Sequence, residues 1–133
     1  MVSHEEAVEL ILQLPDVAEG TSFRNRAWSV GGTTFTWDRP FSKADVKRFG
    51  NEPVPSGPIL GIKVDGLEEK EAVLGAGMPG VFTIPHFEGF PAVLVQLDEV
   101  SHDDLRDLVI DGWLACAPGA LAQAYLRDRS LDR

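Results

Sequence analysis

"FRNRAWSVGGTTFTWDR", residues 23–39, consists of two runs of apolar and polar residues on either side of Gly31-Gly32. A Gly-Gly pair readily adopts the positive φ angles that a two-residue type I′ turn requires at both central positions. The stretch is therefore predicted to fold as a β-hairpin, and the turn fixes how its strands are paired. The predicted pairs are Val30 with Thr33, Trp28 with Phe35, Arg26 with Trp37, and Arg24 with Arg39.

All of these residues are expected on one face of the hairpin, because side chains alternate between the two faces of a strand. Trp28 and Phe35 are predicted to lie in the core. Arg26 is expected to lie flat on the Trp37 ring at the rim of that core. Alternatively, Trp37 and the three arginines form a surface on which nucleic-acid bases stack. Trp28 and Trp37 are thus the aromatic candidates for a pocket or a stacking site.

Capping and stop signals place the other elements of the chain. Ser3 and Glu6 form a capping box at the start of a first helix, which Pro15 ends. Ser42 is expected to cap a short basic helix inside the long connection 40–58. Further helices are predicted over 66–77 (capped by Asp65), 101–117 (capped by Ser101) and 118–129, and strands over 59–64, 80–85 and 90–97. This order predicts an α+β fold, a single compact domain whose antiparallel sheet has helices packed on one face.

The length and composition are those of an ordinary globular domain. The 133 residues are predicted to form one domain, 1–133, with a core over about 3–127 and a frayed tail over 128–133. Cys116 is the only cysteine, so no disulfide forms within the chain. No apolar run reaches the roughly 18 residues of a membrane span, and the acidic N-terminus does not resemble a signal peptide. A cytoplasmic protein without a membrane partner is therefore expected.

Charge is distributed unevenly along the chain. The net charge is −9, yet residues 22–63 hold seven Lys/Arg and three Asp/Glu, which gives that segment +4. An acidic chain repels nucleic acid at long range, but a local basic surface still acts within a Debye length of roughly 8–10 Å. The candidate phosphate contacts are Arg24, Arg26, Arg39, Lys43, Lys47, Arg48 and Lys63.

No set of residues typical of catalysis or metal binding emerges. Ser101, His102 and Asp103 are the residue types of a hydrolase triad, but neighbours on a helix do not face one another. Cys116 has no local helper residue and is expected to be a small buried side chain. The acidic residues of the first helix and of 101–117 are expected to be solvated helix faces, with weak cation binding as the alternative. The sequence therefore favours a protein that is not an enzyme and has no cofactor and no metal.

Several motifs, in this order and spacing, resemble the MmcQ/YjbR-like family over about residues 5–127. They are "LILQLPDVAEGTSF" (10–23), "WSVGGTTFTW" (28–37), "LGIKVD" (60–65), "GMPGVFTIPH" (77–86), "FPAVLVQLDEVSHDDLRDLVIDGW" (90–113) and "AP" (117–118). The resemblance implies a CyaY-like, or frataxin-like, α+β domain. It also implies a "double wing" arrangement that has been proposed for DNA binding.

One segment departs from the family's pattern. Where the family commonly has a basic "KKHW"-type segment before a strand, this chain has "FEGF", residues 87–90. Glu88 and Gly89 replace basic residues, while Phe90 keeps the packing role of the tryptophan. Two functions are therefore expected as alternatives. One is weak DNA binding through the basic residues, and the other is binding of a protein or small ligand in a pocket framed by the hairpin and the 40–58 loop.

Overall fold

The computed structural model of the chain describes residues 1–131, so residues 132 and 133 of the predicted frayed tail lie outside the described range. The elements are α1 (His4–Leu12), β1 (Ala18–Ser22), β2 (Asn25–Val30), β3 (Thr33–Asp38), α2 (Lys43–Arg48), β4 (Ile59–Lys63), α3 (Gly66–Gly75), β5 (Val81–Phe82), a short 3-10 helix (Pro85–Phe87), β6 (Ala92–Gln96), α4 (His102–Cys116) and α5 (Gly119–Leu131).

The strands form one antiparallel sheet in the order β1-β2-β3-β4-β6-β5. Helix α4 packs on β3 and β4, and α1 packs against α4. The predicted α+β fold is thus confirmed. The capping box at Ser3 and the side-chain caps at Ser42 and Ser101 are confirmed as well. Asp65 stands at the N-terminus of α3, but its side chain makes no capping hydrogen bond, so that prediction is wrong.

The main core lies between the sheet and helices α1 and α4. Trp28, Phe35 and Trp113 are completely buried in it. The Trp113 indole also donates a hydrogen bond of 3.0 Å to the Pro15 carbonyl, which joins α4 to the chain that leaves α1. Burial of large aromatic side chains contributes several kcal/mol each, so these rings account for much of the stability of this layer.

The predicted hairpin register holds only near the turn. Gly31 and Gly32 have φ angles of 57° and 82°, and Val30 pairs with Thr33 as predicted. A β-bulge then follows: Ser29 pairs with Thr34 but Trp28 pairs with Thr36, so Phe35 is the extra residue. Both neighbours at a bulge can face the same side, which is why Phe35 and Thr36 are buried together.

The bulge overturns the predicted contact between Arg26 and Trp37. Trp37 pairs with Ala27 and therefore faces the side of the sheet opposite to the main core. Arg26 stays on the core side, where its guanidinium lies 5.2 Å from the centre of the Trp28 ring. The predicted contact was wrong because it assumed that the side chains of β3 alternate strictly between the two faces of the sheet.

A second, smaller apolar cluster covers the other face of the central strands. Its buried members are Ile59, Ile84, Phe87, Ala92 and Leu94, and Trp37, Phe41, Phe49 and Phe82 pack against them. Strands β4 and β6 are consequently buried on both faces, as the continuous apolar run at 90–97 predicts for β6. Helix α2 lies on this side, because Phe41 and Phe49 flank it.

Two strands differ from prediction. Strand β1 was missed, because its residues AEGTS are mostly exposed and lack the apolar alternation of a half-buried strand. It pairs with β2 at the edge of the sheet through a tight turn at Phe23-Arg24. The strand predicted over 80–85 reaches only from Val81 to Phe82, and the 3-10 helix follows.

Candidate functional site

An open cavity of about 640 Å³ lies on the second face of the sheet and is called the hairpin pocket below. The tip of the β1–β2 hairpin, the end of β3, the end of β4 and the 85–90 loop surround it. Its lining residues are Ser22, Phe23, Asn25, Thr34, Trp37, Asp38, Arg39, Pro40, Lys63, His86, Phe87 and Phe90. Cavities of this size, mostly apolar with a few charged groups, are typical binding sites for small molecules.

Three aromatic rings form one wall of the pocket. Trp37 stacks on Phe87 with 6.3 Å between ring centres, and Phe90 meets both rings edge to face, at 6.3 and 5.6 Å. Phe87 is buried, Trp37 is half-buried and Phe90 is 39% exposed. The cluster therefore presents aromatic surface to the cavity while its inner ring is fixed in the core.

Gly61 provides the place where the Trp37 indole lies. A Cβ atom at this position of β4 would approach the indole ring to 2.4 Å, closer than any real contact. The pairing of Trp37 with Gly61 across β3 and β4 brings the two residues directly opposite each other. A side chain at position 61 would therefore force the indole or the strand to shift.

Lys70 of α3 holds the 85–90 loop. Its ammonium group donates hydrogen bonds to the backbone carbonyls of Phe87 and Phe90, at 2.6 and 2.8 Å. Lys70 is only 7% exposed, and this burial lowers the pKa of its ammonium group, although Glu88 acts in the opposite direction. A buried lysine of this kind fixes two ring-bearing residues relative to the helix.

The positive charge of Arg39 is compensated by a buried carboxylate. Its guanidinium donates to Asp45 at 2.9 Å and lies 5.7 Å from the centre of the Phe87 ring. Burial would raise the pKa of Asp45, but hydrogen bonds from Arg39 and Ser42 outweigh this effect and lower it to about 2. Asp45 also accepts a bond from Arg48. Arg39 thus serves mainly to anchor α2 to the pocket.

Lys63 keeps its charge available to the pocket. It lies at the end of β4, half-buried, with its ammonium group 5.9 Å from the centre of the Phe90 ring. Among residues 1–131, no carboxylate forms an ion pair with it. The acidic lining residue, Asp38, instead bonds His4 at 2.8 Å.

The hairpin tip is a turn of unusual composition. Phe23 and Arg24 have φ angles of 49° and 70°, which are the left-handed values that favour glycine or asparagine. The side-chain amide of Asn25 donates a hydrogen bond of 3.2 Å to the Phe23 carbonyl, and this bond helps to close the turn. Phe23 is 96% exposed although it lines the pocket. The turn therefore carries both a backbone cost and an exposed aromatic ring at the mouth of the cavity.

Comparison with known proteins places the chain among mycobacterial relatives. It is 41% identical over 130 residues to the uncharacterized protein Rv2570 of Mycobacterium tuberculosis, an alignment that covers 95% of this chain and 97% of the relative. The same identity and coverage hold for the uncharacterized protein Mb2600 of Mycobacterium bovis. The chain belongs to their family. No family model matches the chain, and no solved structure matches it.

In this member of the family, the structure brings only some of the predicted site residues together. Trp37, Arg39 and Lys63 line the hairpin pocket, and the other candidates are placed elsewhere. Trp28 is buried in the main core. Arg26 lies on the opposite face, paired with Glu19 at 2.8 Å. Arg24 sits at the hairpin tip but does not line the cavity, and Lys43, Lys47 and Arg48 belong to α2.

Sequence reasoning missed four further residues that line the pocket, namely Phe23, His86, Phe87 and Phe90. The segment "HFEGF" (86–90) carried a signal, since two phenylalanines beside a glycine in a loop are unusual for a solvated connection. A second signal was the pair Phe23-Arg24. Phe23 reaches the pocket because β1 and β2 form a hairpin around it, and β1 was not predicted from the sequence.

The described part of the chain contains neither a candidate metal cluster nor a membrane-spanning helix. Within residues 1–131, no three or more His, Cys, Asp or Glu side chains are grouped so that they would hold a metal ion. No helix there combines the length and the apolar character needed to cross a bilayer.

Proposed function

We propose that this chain is a non-enzymatic binding domain of the MmcQ/YjbR-like type, whose small ligand occupies the hairpin pocket. The observation that carries the proposal is the aromatic wall of Trp37, Phe87 and Phe90 around an open cavity. Clefts of this size lined by aromatic side chains and a few polar groups are typical of ligand sites, so this cavity favours a bound small molecule.

Two supports of the wall strengthen the proposal. Gly61 gives the Trp37 indole its position, and Lys70 holds the loop that carries Phe87 and Phe90. Neither support is needed for the main core, which lies on the other side of the sheet. Their common effect is to fix the shape of the pocket.

A neutral aromatic probe, naphthyl methanol, tests the proposal by NMR. The chain has three tryptophans, so three indole N–H signals are expected, and Trp28 and Trp113 are fully buried. Saturable shifts of the Trp37 signal, with the other two unchanged, are the expected result. Equal shifts of all three signals, or none at millimolar probe, would contradict binding in the pocket.

A pair of glycine variants serves as the control. Gly61→Ala forces the Trp37 indole from its position, because the added Cβ would lie 2.4 Å from the ring. Gly20→Ala, in the edge strand β1, adds a Cβ that meets nothing within 4 Å. The first variant should lose probe binding and the second should retain it.

DNA binding is the second candidate, and one observation favours it. Lys43, Lys47 and Arg48 belong to α2, which lies on the same side of the sheet as Lys63. Such groups contact phosphates without reading sequence. The net charge of −9 and the pairing of Arg26 with Glu19 act against this candidate.

Fluorescence anisotropy with a labelled duplex of about 20 base pairs, at about 50 and about 200 mM salt, tests this candidate. Micromolar binding at low salt that weakens steeply at high salt, and that Lys43→Ala with Lys47→Ala reduces, would support it. Arg26→Ala, on the opposite face, is the matched control and should have no effect. No binding at low salt would rule out a DNA partner for this chain.

A further inference from the structure

We propose that the ligand of the hairpin pocket is a planar aromatic anion, with Lys63 binding its acidic group and Phe23 covering its ring. This inference rests on the function proposed above and names the ligand class. It is argued from three independent features: the charges of the pocket, the position of Lys63 relative to the aromatic wall, and the conformation of the hairpin tip.

The charges around the pocket leave one cation without a partner. Arg39 is paired with Asp45 at 2.9 Å, and Asp38 is bonded to His4 at 2.8 Å. Lys63 pairs with no carboxylate of residues 1–131. His86, the other titratable lining residue, is exposed. An anion is therefore the ligand that complements this set, because a neutral or cationic molecule would leave the half-buried Lys63 uncompensated.

The position of Lys63 favours an anion that carries an aromatic ring. Its ammonium group lies 5.9 Å from the centre of the Phe90 ring, so a group that binds this ammonium lies next to the aromatic wall. Trp37 and Phe90 both present ring surface to the same cavity. A flat ring with an acidic substituent contacts the wall and the cation together, and stacking on an aromatic side chain is worth about 1–3 kcal/mol.

The hairpin tip supplies the opposing surface. A phenylalanine at a φ of 49° costs about 1 kcal/mol or more relative to glycine, and its ring is 96% exposed. Asparagine or glycine would form the same turn without either cost. The ring lines the mouth of the pocket, so a bound planar molecule would lie between Phe23 and the aromatic wall. Covering a ligand accounts for both the strained backbone and the exposed ring.

Three naphthalene probes that differ only in charge test the ligand class. They are naphthalene sulfonate, naphthyl methanol and naphthylmethyl trimethylammonium, titrated against the Trp37 indole signal. The sulfonate should bind about tenfold more tightly than the alcohol, and the ammonium compound more weakly than either. Lys63→Met keeps the aliphatic stem but removes the charge, so it should bind the sulfonate no more tightly than the alcohol.

The role of Phe23 is tested with Phe23→Asn. Asparagine tolerates the positive φ, so the variant should fold at least as stably as the natural chain, and weaker binding cannot then be attributed to unfolding. Binding of all three probes should fall about five- to tenfold, as expected when one ring contact is lost. Leu126→Asn removes another exposed apolar side chain, on α5, and is the matched control.

The possible results separate the two proposals. If no probe binds, the proposed function is wrong. If the three probes bind with equal affinity, the proposal of ligand binding in the pocket is supported, but the assignment of an anionic ligand is wrong. If Phe23→Asn binds every probe as tightly as the natural chain, Phe23 does not cover the ligand.

Discussion

At the scale of single residues, two tryptophans of one hairpin have opposite roles. Trp28 is completely buried in the main core, and its indole N–H donates to Glu19 at 3.1 Å. Trp37 is half-buried and faces the hairpin pocket. Burial, rather than residue type, therefore distinguishes the tryptophan of the core from the tryptophan of the cavity wall.

Trp28→Ala should lower the free energy of unfolding by roughly 3–5 kcal/mol, because a large buried ring is replaced by a cavity. Urea denaturation followed by circular dichroism measures this. Arg24→Ala with Arg26→Ala is the comparison, and its midpoint should stay close to that of the natural chain, since both arginines are exposed. An unchanged midpoint for Trp28→Ala would contradict the core described here.

At the scale of elements, the hairpins and loops around the pocket depend on individual backbone features. Gly31-Gly32 allows the β2–β3 turn, which the sequence predicts because glycine pairs favour type I′ turns. Phe23-Arg24 makes the β1–β2 turn without such residues, and no sequence rule favours it. The β2–β3 turn was therefore predictable from the sequence, and the β1–β2 turn was not.

Replacing Phe23-Arg24 by Asn-Gly should stabilise the fold by about 1–2 kcal/mol, because both positions have positive φ and the new residues adopt it more readily. The same replacement should weaken binding of naphthalene sulfonate in the pocket. Thermal denaturation and the NMR titration measure the two effects on one variant. A decrease in stability would show that the present turn is not strained.

Lys70→Met should destabilise the chain by about 1–3 kcal/mol, because the Phe87 and Phe90 carbonyls lose their buried donor. The aromatic wall should also lose its fixed position, so binding of naphthyl methanol should weaken. Denaturation and probe titration are the measurements. Lys43→Met, at an exposed position of α2, is the control, and equal behaviour of the two variants would refute the role given to Lys70.

At the scale of the whole molecule, two apolar layers enclose the central strands. An ion cluster of Arg39, Asp45 and Arg48 lies at α2, beside the smaller layer. Asp45 is buried there between Arg39 and Arg48. Because its pKa is lowered from 3.8 to about 2 in the folded state, its ionised form stabilises the fold. This contribution is complete above the unfolded pKa and is lost as the pH falls through the folded pKa.

The stability difference between the natural chain and Asp45→Asn should therefore shrink by about 2 kcal/mol between about pH 4 and about pH 2. Denaturation at a series of pH values over this window gives the difference. Asp103→Asn, which changes an exposed carboxylate of α4, is the comparison variant. A difference that is constant with pH would mean that Asp45 is not held by its arginine partners.

The sequence predicted the fold better than the pocket, for a physical reason. Capping residues such as Ser3, Ser42 and Ser101 and the turn at Gly31-Gly32 act locally, so their effects can be recognised from neighbouring residues. The pocket depends on contacts between distant segments, such as Trp37 on Gly61 and Lys70 on the 87–90 loop. The sequence analysis predicted Trp37, Arg39 and Lys63 as site residues, but it did not predict that they line one pocket.

The β-bulge in β3 has a consequence for how this gene can vary. Phe35 is one residue more than the pairing with β2 requires, and the bulge lets both Phe35 and Thr36 face the main core while Trp37 faces the pocket. Deletion of the Phe35 codon would make the pairing regular and leave Trp37 opposite Ala27 on the pocket side, but the main core would lose a completely buried ring. A strand shortened in this way would therefore lose stability while it kept the aromatic ring of the pocket.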